Sequence, residues 1–370
     1  MARNNLRPEP RFDWFIPIDG DGARVGTRRA ERPPTFDYLR QVAQTAEECG
    51  FSSLLVPTRF ANGLFAEVAP LAETWTTATA LAAVTRRIRF LVAVRPGFIS
   101  LGLFAQMAAA FHQISGGRLD INIVPGGIQH DFERLGEMSG HRTRYQRAEE
   151  FIVACRKLWQ EPGPVTFLGE HYRLENAYCS PAPGGQLPSF YLGGVSQSAM
   201  ELSSRQADVH LTWIEPLEYT AGRLAALRLE FQRTGRTPVF GLRTHLVVRD
   251  TEREAWDAAE ELVRHADPAV KAQRRSAIEG TPMVGQQAQA RQAPGHRLAP
   301  HLWNGLSEVR VNCGTAIVGT PAQVAEELLA YWTLGVDEFI LSGFPHVEEC
   351  RRVSSQVVPL VQERVAASAG

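Results

Sequence analysis

The chain lacks the cysteine patterns that would tie it to a metal or to an oxidising compartment. Its five cysteines, Cys49, Cys155, Cys179, Cys313 and Cys350, are scattered, odd in number and without a C-x-x-C pair. That excludes a zinc cage or a disulfide framework and points to a reduced, cytoplasmic protein with no metal site. No apolar run approaches the roughly 20 residues of a membrane-spanning helix. The opening MARNNLRPEPRF has no apolar core, so no secretory leader is expected. Neither sign of charge dominates: the formal net charge is -1 and the pI about 6.8. A nucleic-acid partner or an anionic membrane surface would favour a basic excess, so neither is expected. Also missing are G-x-G-x-x-G after the first strand, H-E-x-x-H, a Walker loop and G-x-S-x-G. These absences remove support for a dinucleotide fold, a metalloprotease, a P-loop enzyme and an α/β-hydrolase.

What is present is alternation. Eight short apolar runs read as strands: FDWFIP from Phe12, SSLLVP from Ser52, RFLVAVRP from Arg89, RLDINIVPGG from Arg118, SFYLGG from Ser189, DVHLTW from Asp208, VFGLRTHLVV from Val239 and DEFILSGFP from Asp337. Helical spacing separates them, as at Tyr38–Cys49, Phe151–Trp159, Val324–Tyr331 and Val347–Val358, with Pro359 marking an end. Eight strands, most followed by a helix, predict an α/β fold, a (β/α)8 TIM barrel, rather than an open sheet. The 370 residues suit one barrel domain over 1–370 with insertions. Residues 161–188 are rich in Pro and Gly with two short β-like pieces, which predicts an inserted hairpin. Residues 267–305 form a long insertion, expected to be a mobile lid.

A barrel of this type places its site at the C-terminal ends of the strands. YLGGVSQSAMEL runs a strand into Gly193 and Gly194, and Ser196 opens a helix. Glycines allow close backbone approach, and a helix N-terminus favours an anion. The segment reads either as a phosphate cradle or as a tight turn with a serine cap. In HRTRYQRAEEF, Thr143 and Gln146 form a capping-box pattern that places Arg144 and Tyr145 in a first helical turn. Arg142, Arg144 and Arg147 crowd that end against the helix dipole. A phosphate would resolve the conflict, and a solvated basic face is the alternative.

FGLRTHLVV raises the sharpest question. On one continuous strand Gly241, Arg243, His245 and Val247 share a face, and Thr244, Leu246 and Val248 share the other. A buried Arg243 needs a partner. That partner is either an internal carboxylate or an anionic ligand. Arg310, in EVRVNCGTAIVG, is a second arginine among apolar residues. Two guanidiniums and an imidazole at a barrel mouth suit an oxyanion such as a sulfonate.

Taken in order and spacing, FLVAVRPG, HRTRYQRAEEF, YLGGVSQSA, DVHLTWIEP, FGLRTHLVVRDT, MVGQQ, HLWNGL, CGTAIVGT and FILSGFPH resemble the FMN-dependent alkanesulfonate monooxygenases of the bacterial luciferase-like superfamily. The resemblance spans nearly the whole chain. It implies a luciferase-like barrel that binds reduced FMN and uses oxygen to split a C–S bond, giving aldehyde and sulfite. It places the flavin phosphate near Tyr145, Gly194 and Ser196, with His141 and Arg144 close by. Trp213 matches a tryptophan near the flavin, and Thr58, after the second strand, joins the cofactor residues. Arg243, His245 and Arg310 match the catalytic set. The resemblance further implies a small-molecule substrate, an NAD(P)H-dependent flavin reductase as partner, and a homo-oligomer. Three departures fall around the expected substrate pocket: Phe344 replaces a tyrosine, Asp19 replaces a histidine, and the loop after the second strand carries no cysteine. They leave open another organosulfur compound or a secondary metabolite as substrate. A non-catalytic flavin-binding protein and a deazaflavin-dependent reductase are the rival functions.

Overall fold

The computed structural model describes residues 8–368 apart from 128, 181, 280–284 and 286–292. The ends of the expected 1–370 domain, most of MVGQQ (Met283–Gln287) and the middle of the expected lid lie outside the described residues. Fourteen strands run in chain order among the described residues: β1 (Arg11–Phe15), β2 (Ser53–Val56), β3 (Arg89–Val94), β4 (Leu119–Ile123), β5 (Val165–Leu168), β6 (Arg173–Ala177), β7 (Phe190–Gly193), β8 (Val209–Trp213), β9 (Val239–Arg243), β10 (His245–Val248), β11 (Arg297–Ala299), β12 (Leu302–Trp303), β13 (Ala316–Gly319) and β14 (Glu338–Leu341). The helices are α1 (Phe36–Glu48), α2 (Thr74–Ala83), α3 (Leu101–Ile114), α4 (Gln129–Glu133), α5 (His141–Gln160), α6 (Gln197–Gln206), α7 (Leu217–Arg233), α8 (Glu252–Arg264), α9 (Pro268–Glu279), α10 (Pro321–Leu334), α11 (His346–Gln356) and α12 (Val358–Ala367).

Eight parallel strands close in the order β1-β14-β9-β8-β7-β4-β3-β2. They are the eight runs read from the sequence, so the expected barrel is present. Side chains fill its interior in layers. At the N-terminal end lie ion pairs: Arg11 with Asp13 at 3.0 Å and Glu338 at 3.6 Å, and Arg89 with Asp120 at 2.8 Å. Above them Phe15, Leu55, Leu91, Tyr191, Val209, Leu211 and Ile340 form an apolar layer. This layer is the floor of the site.

Local sequence explains the helix boundaries. Thr320 and Gln323 make a capping box at α10, Pro321 sits in its first turn, and Gly335 ends it in the left-handed region. Pro359 does more than end a helix. It lies in the first turn of α12, where its missing N–H costs nothing. The expected start of α5 shifts as well. The helix begins at His141 with Gly140 as its cap, and no side chain caps it, so Thr143 and Gln146 form no box.

VFGLRTHLVV is not one strand. It leaves the barrel after Arg243, and His245–Val248 pairs in parallel with β13 in a separate sheet of order β10-β13-β12-β11. The joint is Thr244, whose hydroxyl donates to the carbonyls of His245 (3.1 Å) and Thr315 (3.4 Å). Residues 165–177 form an antiparallel pair, β5 with β6. In the 267–305 insertion both ends are anchored. Arg274 of α9 donates to the carbonyls of Asn62, Phe65 and Val309, and β11 and β12 join the small sheet.

Candidate active site

A cavity over this floor opens at the C-terminal ends of the barrel strands. Thr58, His141, Arg144, Tyr145, Gly194, Ser196, Trp213, Arg243 and Arg310 all line it. Of the residues expected at the site only His245 does not.

One side is built by β7, α6 and the start of α5. Ser196 caps α6 by accepting from the Ala199 amide at 3.3 Å, and its hydroxyl is also bonded to Tyr145. Gly194 has φ +142, and a Cβ there would lie 2.7 Å from the Ala199 Cβ and 3.3 Å from the Tyr145 hydroxyl. Only glycine fits without displacing that hydroxyl. The first amides of α5 have no intrahelical carbonyl and no side-chain cap. Among the crowded arginines of that turn, Arg147 pairs with Glu137 at 2.5 Å, Arg142 is exposed, and Arg144 is buried against the cavity. Arg144 is held by the carbonyls of Pro125 (3.2 Å) and Ser139 (2.5 Å) and lies 4.6 Å above the Phe132 ring. Two hydroxyls, an arginine and His141 therefore line one corner, beside the uncapped start of α5. This donor set fits a phosphomonoester, because each group donates or carries positive charge.

The other side belongs to β9, β1 and the loop before β13. Arg243 and Arg310 both lie over the Phe15 ring, at 4.5 and 5.2 Å. Both are buried. Arg243 donates to the Ser342 hydroxyl at 2.8 Å and to the carbonyls of Thr244 and Ile340. The Arg310 Nε is buried with no hydrogen-bond partner. Burial pushes the Arg243 guanidinium down to about 10 and Arg310 down to about 9, and the Arg59 charge adds to both effects. Neither arginine has an ion-paired carboxylate among the described residues, so the internal-carboxylate alternative for Arg243 is not met.

His245 stands behind this wall. Its Nδ1 lies 2.7 Å from the Ser342 hydroxyl and its Nε2 lies 3.2 Å from the Cys313 carbonyl. Arginine can only donate to the Ser342 oxygen, so the serine proton points to Nδ1 and the imidazole is the neutral Nε2–H tautomer. Burial, then the charges of Arg243, Arg310 and His346, hold His245 far below its ordinary pKa. Its contact with the site runs through Ser342, which it positions. Two of the departures also lie one layer back. Phe344 stacks on His245 at 5.4 Å, and Asp19 binds Arg59 at 2.9 Å.

Sequence reasoning missed Arg59 and Ser342 and assigned no role to Arg95. Arg59 and Arg95 line the cavity, and the Arg95 Nε is buried without a partner. Their one signal was position, immediately after β2 and β3. Glu215 is the only carboxylate lining the cavity among the described residues, and it is paired with Arg223. The described residues contain no group of His, Cys, Asp or Glu that could hold a metal ion, and no helix long and apolar enough to cross a membrane.

A family model for luciferase-like monooxygenases matches residues 11–338. The chain belongs to the luciferase-like monooxygenase family. It is accordingly an enzyme, a flavin-dependent monooxygenase. Solved structures share its fold at low identity. A riboflavin lyase with modified FMN and riboflavin superposes with a TM-score of 0.78 at 20% identity, covering 96% of this chain and 92% of that one. The EDTA monooxygenase from Chelativorans sp. BNC1 gives 0.78 at 18%, covering 96% and 94%. The oxygenating constituent of the 3,6-diketocamphane monooxygenase of Pseudomonas putida, in complex with FMN, gives 0.68 at 18%, covering 97% and 99%. One barrel thus serves several chemistries, and the substrate must be argued from the site.

Proposed function

We propose that the chain is an FMN-dependent monooxygenase of the two-component type that oxidatively desulfonates an alkanesulfonate-like anion. The observation that carries this reading is the buried Arg310 guanidinium, without a hydrogen-bond partner for its Nε, beside Arg243 on one wall of a cavity whose other wall is a phosphate corner. The Tyr145 and Ser196 hydroxyls, the Gly194 backbone, His141 and Arg144 would hold the FMN phosphate, and Trp213 and Thr58 would flank the ring. Reduced FMN, when bound, supplies the electrons that activate oxygen.

The protein's own residues do the rest. Arg243 and Arg310 bind the sulfonate and stabilise the negative charge that develops as sulfite departs. Ser342 and the neutral His245 fix the Arg243 fork. Phe15, Leu55, Leu211 and Ile340 keep the floor dry, which strengthens those charges. The insertion at 267–305 acts as the lid. In the reaction one oxygen atom adds to the carbon that bears sulfur and the C–S bond breaks. Aldehyde and sulfite result, and the second oxygen atom leaves as water. A separate NAD(P)H-dependent reductase supplies the reduced flavin in the cytoplasm, and the enzyme works as a homo-oligomer.

The test is turnover of a series of alkanesulfonates with reduced FMN and oxygen. Sulfite and aldehyde should appear in equal amounts. Oxygen consumption that yields only hydrogen peroxide with every sulfonate would rule out desulfonation. A second reading, oxidation of another organosulfur compound or a secondary metabolite, is favoured by Arg59, a further guanidinium that lines the cavity while paired with Asp19. A deazaflavin-dependent activity is tested by comparing the affinities of the two reduced cofactors.

A further inference from the structure

Arg59 is not used by the mechanism above, yet it is placed with care. Its Nε donates to Asp19 Oδ2 at 2.9 Å. Asp19 is itself fixed, because its Oδ1 accepts from the Gly63 amide at 2.6 Å and its carbonyl accepts from Asn62 at 2.7 Å. The guanidinium lies flat over Gly63, where a Cβ would come within 2.6 Å of Nη1. One edge of the fork is thus pinned, and the terminal nitrogens make no hydrogen bond to any described residue. The side chain is only 7% exposed. It lines the main cavity and also an adjoining one walled by Asn62, Glu67, Arg95, Asp131 and Arg134.

Charge counting then gives a direction. Arg59, Arg95, Arg243 and Arg310 face one chamber, and the Arg59 charge is felt by each of the other three. Two carboxylates stand against them, Asp19 at Arg59 and Asp131 near Arg95. Glu67 is taken by Arg134 at 3.0 Å, and Glu215 by Arg223. The flavin phosphate corner, with Arg144 and His141, lies on the β7 side of the same cavity, next to Arg95, which shares the Phe132 ring with Arg144. Positive charge remains in excess in the chamber, and Arg274 on the adjoining wall adds to it. A molecule with two anionic groups offsets more of that excess than a monoanion does.

We propose, resting on the desulfonation reading, that the substrate carries two anionic groups: a sulfonate at Arg243 and Arg310, and a second anionic group, such as a carboxylate or a second sulfonate, on the free end of the Arg59 fork. Arg59 is then the residue that selects substrate. Asp19 holds that fork in place.

The experiment compares propanesulfonate with sulfopropanoate and propanedisulfonate. Affinity is read by calorimetry on the flavin-free protein, and sulfite release is read with reduced FMN and oxygen. The doubly charged compounds should bind about tenfold tighter than propanesulfonate. Arg59→Gln should bring that ratio to about one, while Arg59→Lys, which keeps the charge, should retain part of it. The lysine variant also separates lost charge from a lost fold. Equal affinities in the unaltered enzyme, or a ratio that survives Arg59→Gln, overturns the proposal. Sulfite from propanesulfonate with a ratio near one overturns this inference and leaves desulfonation standing. A ratio that depends on Arg59 without sulfite from any compound does the reverse. Binding of none overturns both.

Discussion

Arg310→Met should make the ligand-free enzyme more stable and the enzyme inactive. The guanidinium sits in the apolar interior with an unpartnered Nε, and its ordinary value of 12.5 falls to about 9. A drop of that size corresponds to about 5 kcal/mol against the charged form. This is a ceiling, because an arginine stays protonated and its surroundings relax instead. The Phe15 ring at 5.2 Å returns about 1–2 kcal/mol through its π-face. Methionine has similar length and carries no charge, so the net gain should be about 1–3 kcal/mol. Unfolding entropy of about 2 cal/mol/K per residue makes 1 kcal/mol worth roughly 1 °C in a chain of 370 residues. The expected rise in Tm is therefore about 1–4 °C. Thermal unfolding monitored by calorimetry or circular dichroism, with and without an alkanesulfonate, measures it. A saturating sulfonate should raise the Tm of the unaltered protein but not that of the variant, reversing their order. Turnover should fall at least about 100-fold. A ligand-free variant that melts several degrees lower would show that Arg310 holds the fold rather than a ligand.

The other perturbations address separate parts of the site. Arg243→Ala should abolish turnover while the circular dichroism spectrum is retained, and near-normal activity would rule out its role. Ser342→Ala leaves an Arg243 N–H and His245 Nδ1 without their shared partner. It should cost about 1–3 kcal/mol of stability and lower kcat more than it raises KM, read by denaturant titration and steady-state kinetics. Gly194→Ala drives a methyl against Ala199 and the Tyr145 hydroxyl at a positive φ. It should weaken FMN about tenfold yet leave riboflavin, which has no phosphate, little changed. His245 is held neutral in the fold, far below its ordinary pKa, so the unfolded chain binds its proton first. Its contribution to stability is complete above about pH 6.5 and is lost as pH falls. Tm should drop between pH 7 and 5, and His245→Gln should flatten that slope.

Much of the frame was readable from pattern alone. Strands such as RFLVAVRP and DVHLTW are buried on both faces, and the helices between them carry a 3.6-residue period, so count and order followed. The phosphate corner was half readable: Gly194 and Ser196 are local signals, but neither shows that Tyr145 folds onto them. The break at Thr244 was not readable. Threonine suits a strand, and only pairing with β13, some seventy residues on, draws His245 out of the barrel. The start of α5 misled for a related reason. Thr143 and Gln146 have capping chemistry, yet the chain turns earlier at Gly140 and no side chain caps the helix. Arg59 looks like any loop arginine until Asp19, forty residues earlier, and Gly63 enclose it. Ser342 lay inside the recognised SGFPH stretch. Its role depends on Arg243 and His245 meeting it from two different sheets.

The most direct test of the account is a crystal structure of the enzyme with FMN and an unreactive alkanesulfonate. The phosphate should lie within hydrogen-bond distance of the Tyr145 and Ser196 hydroxyls, with the sulfonate on Arg243 and Arg310. A flavin bound in the opposite sense, its phosphate on Arg243 and Arg310, or bound outside this cavity, would contradict it.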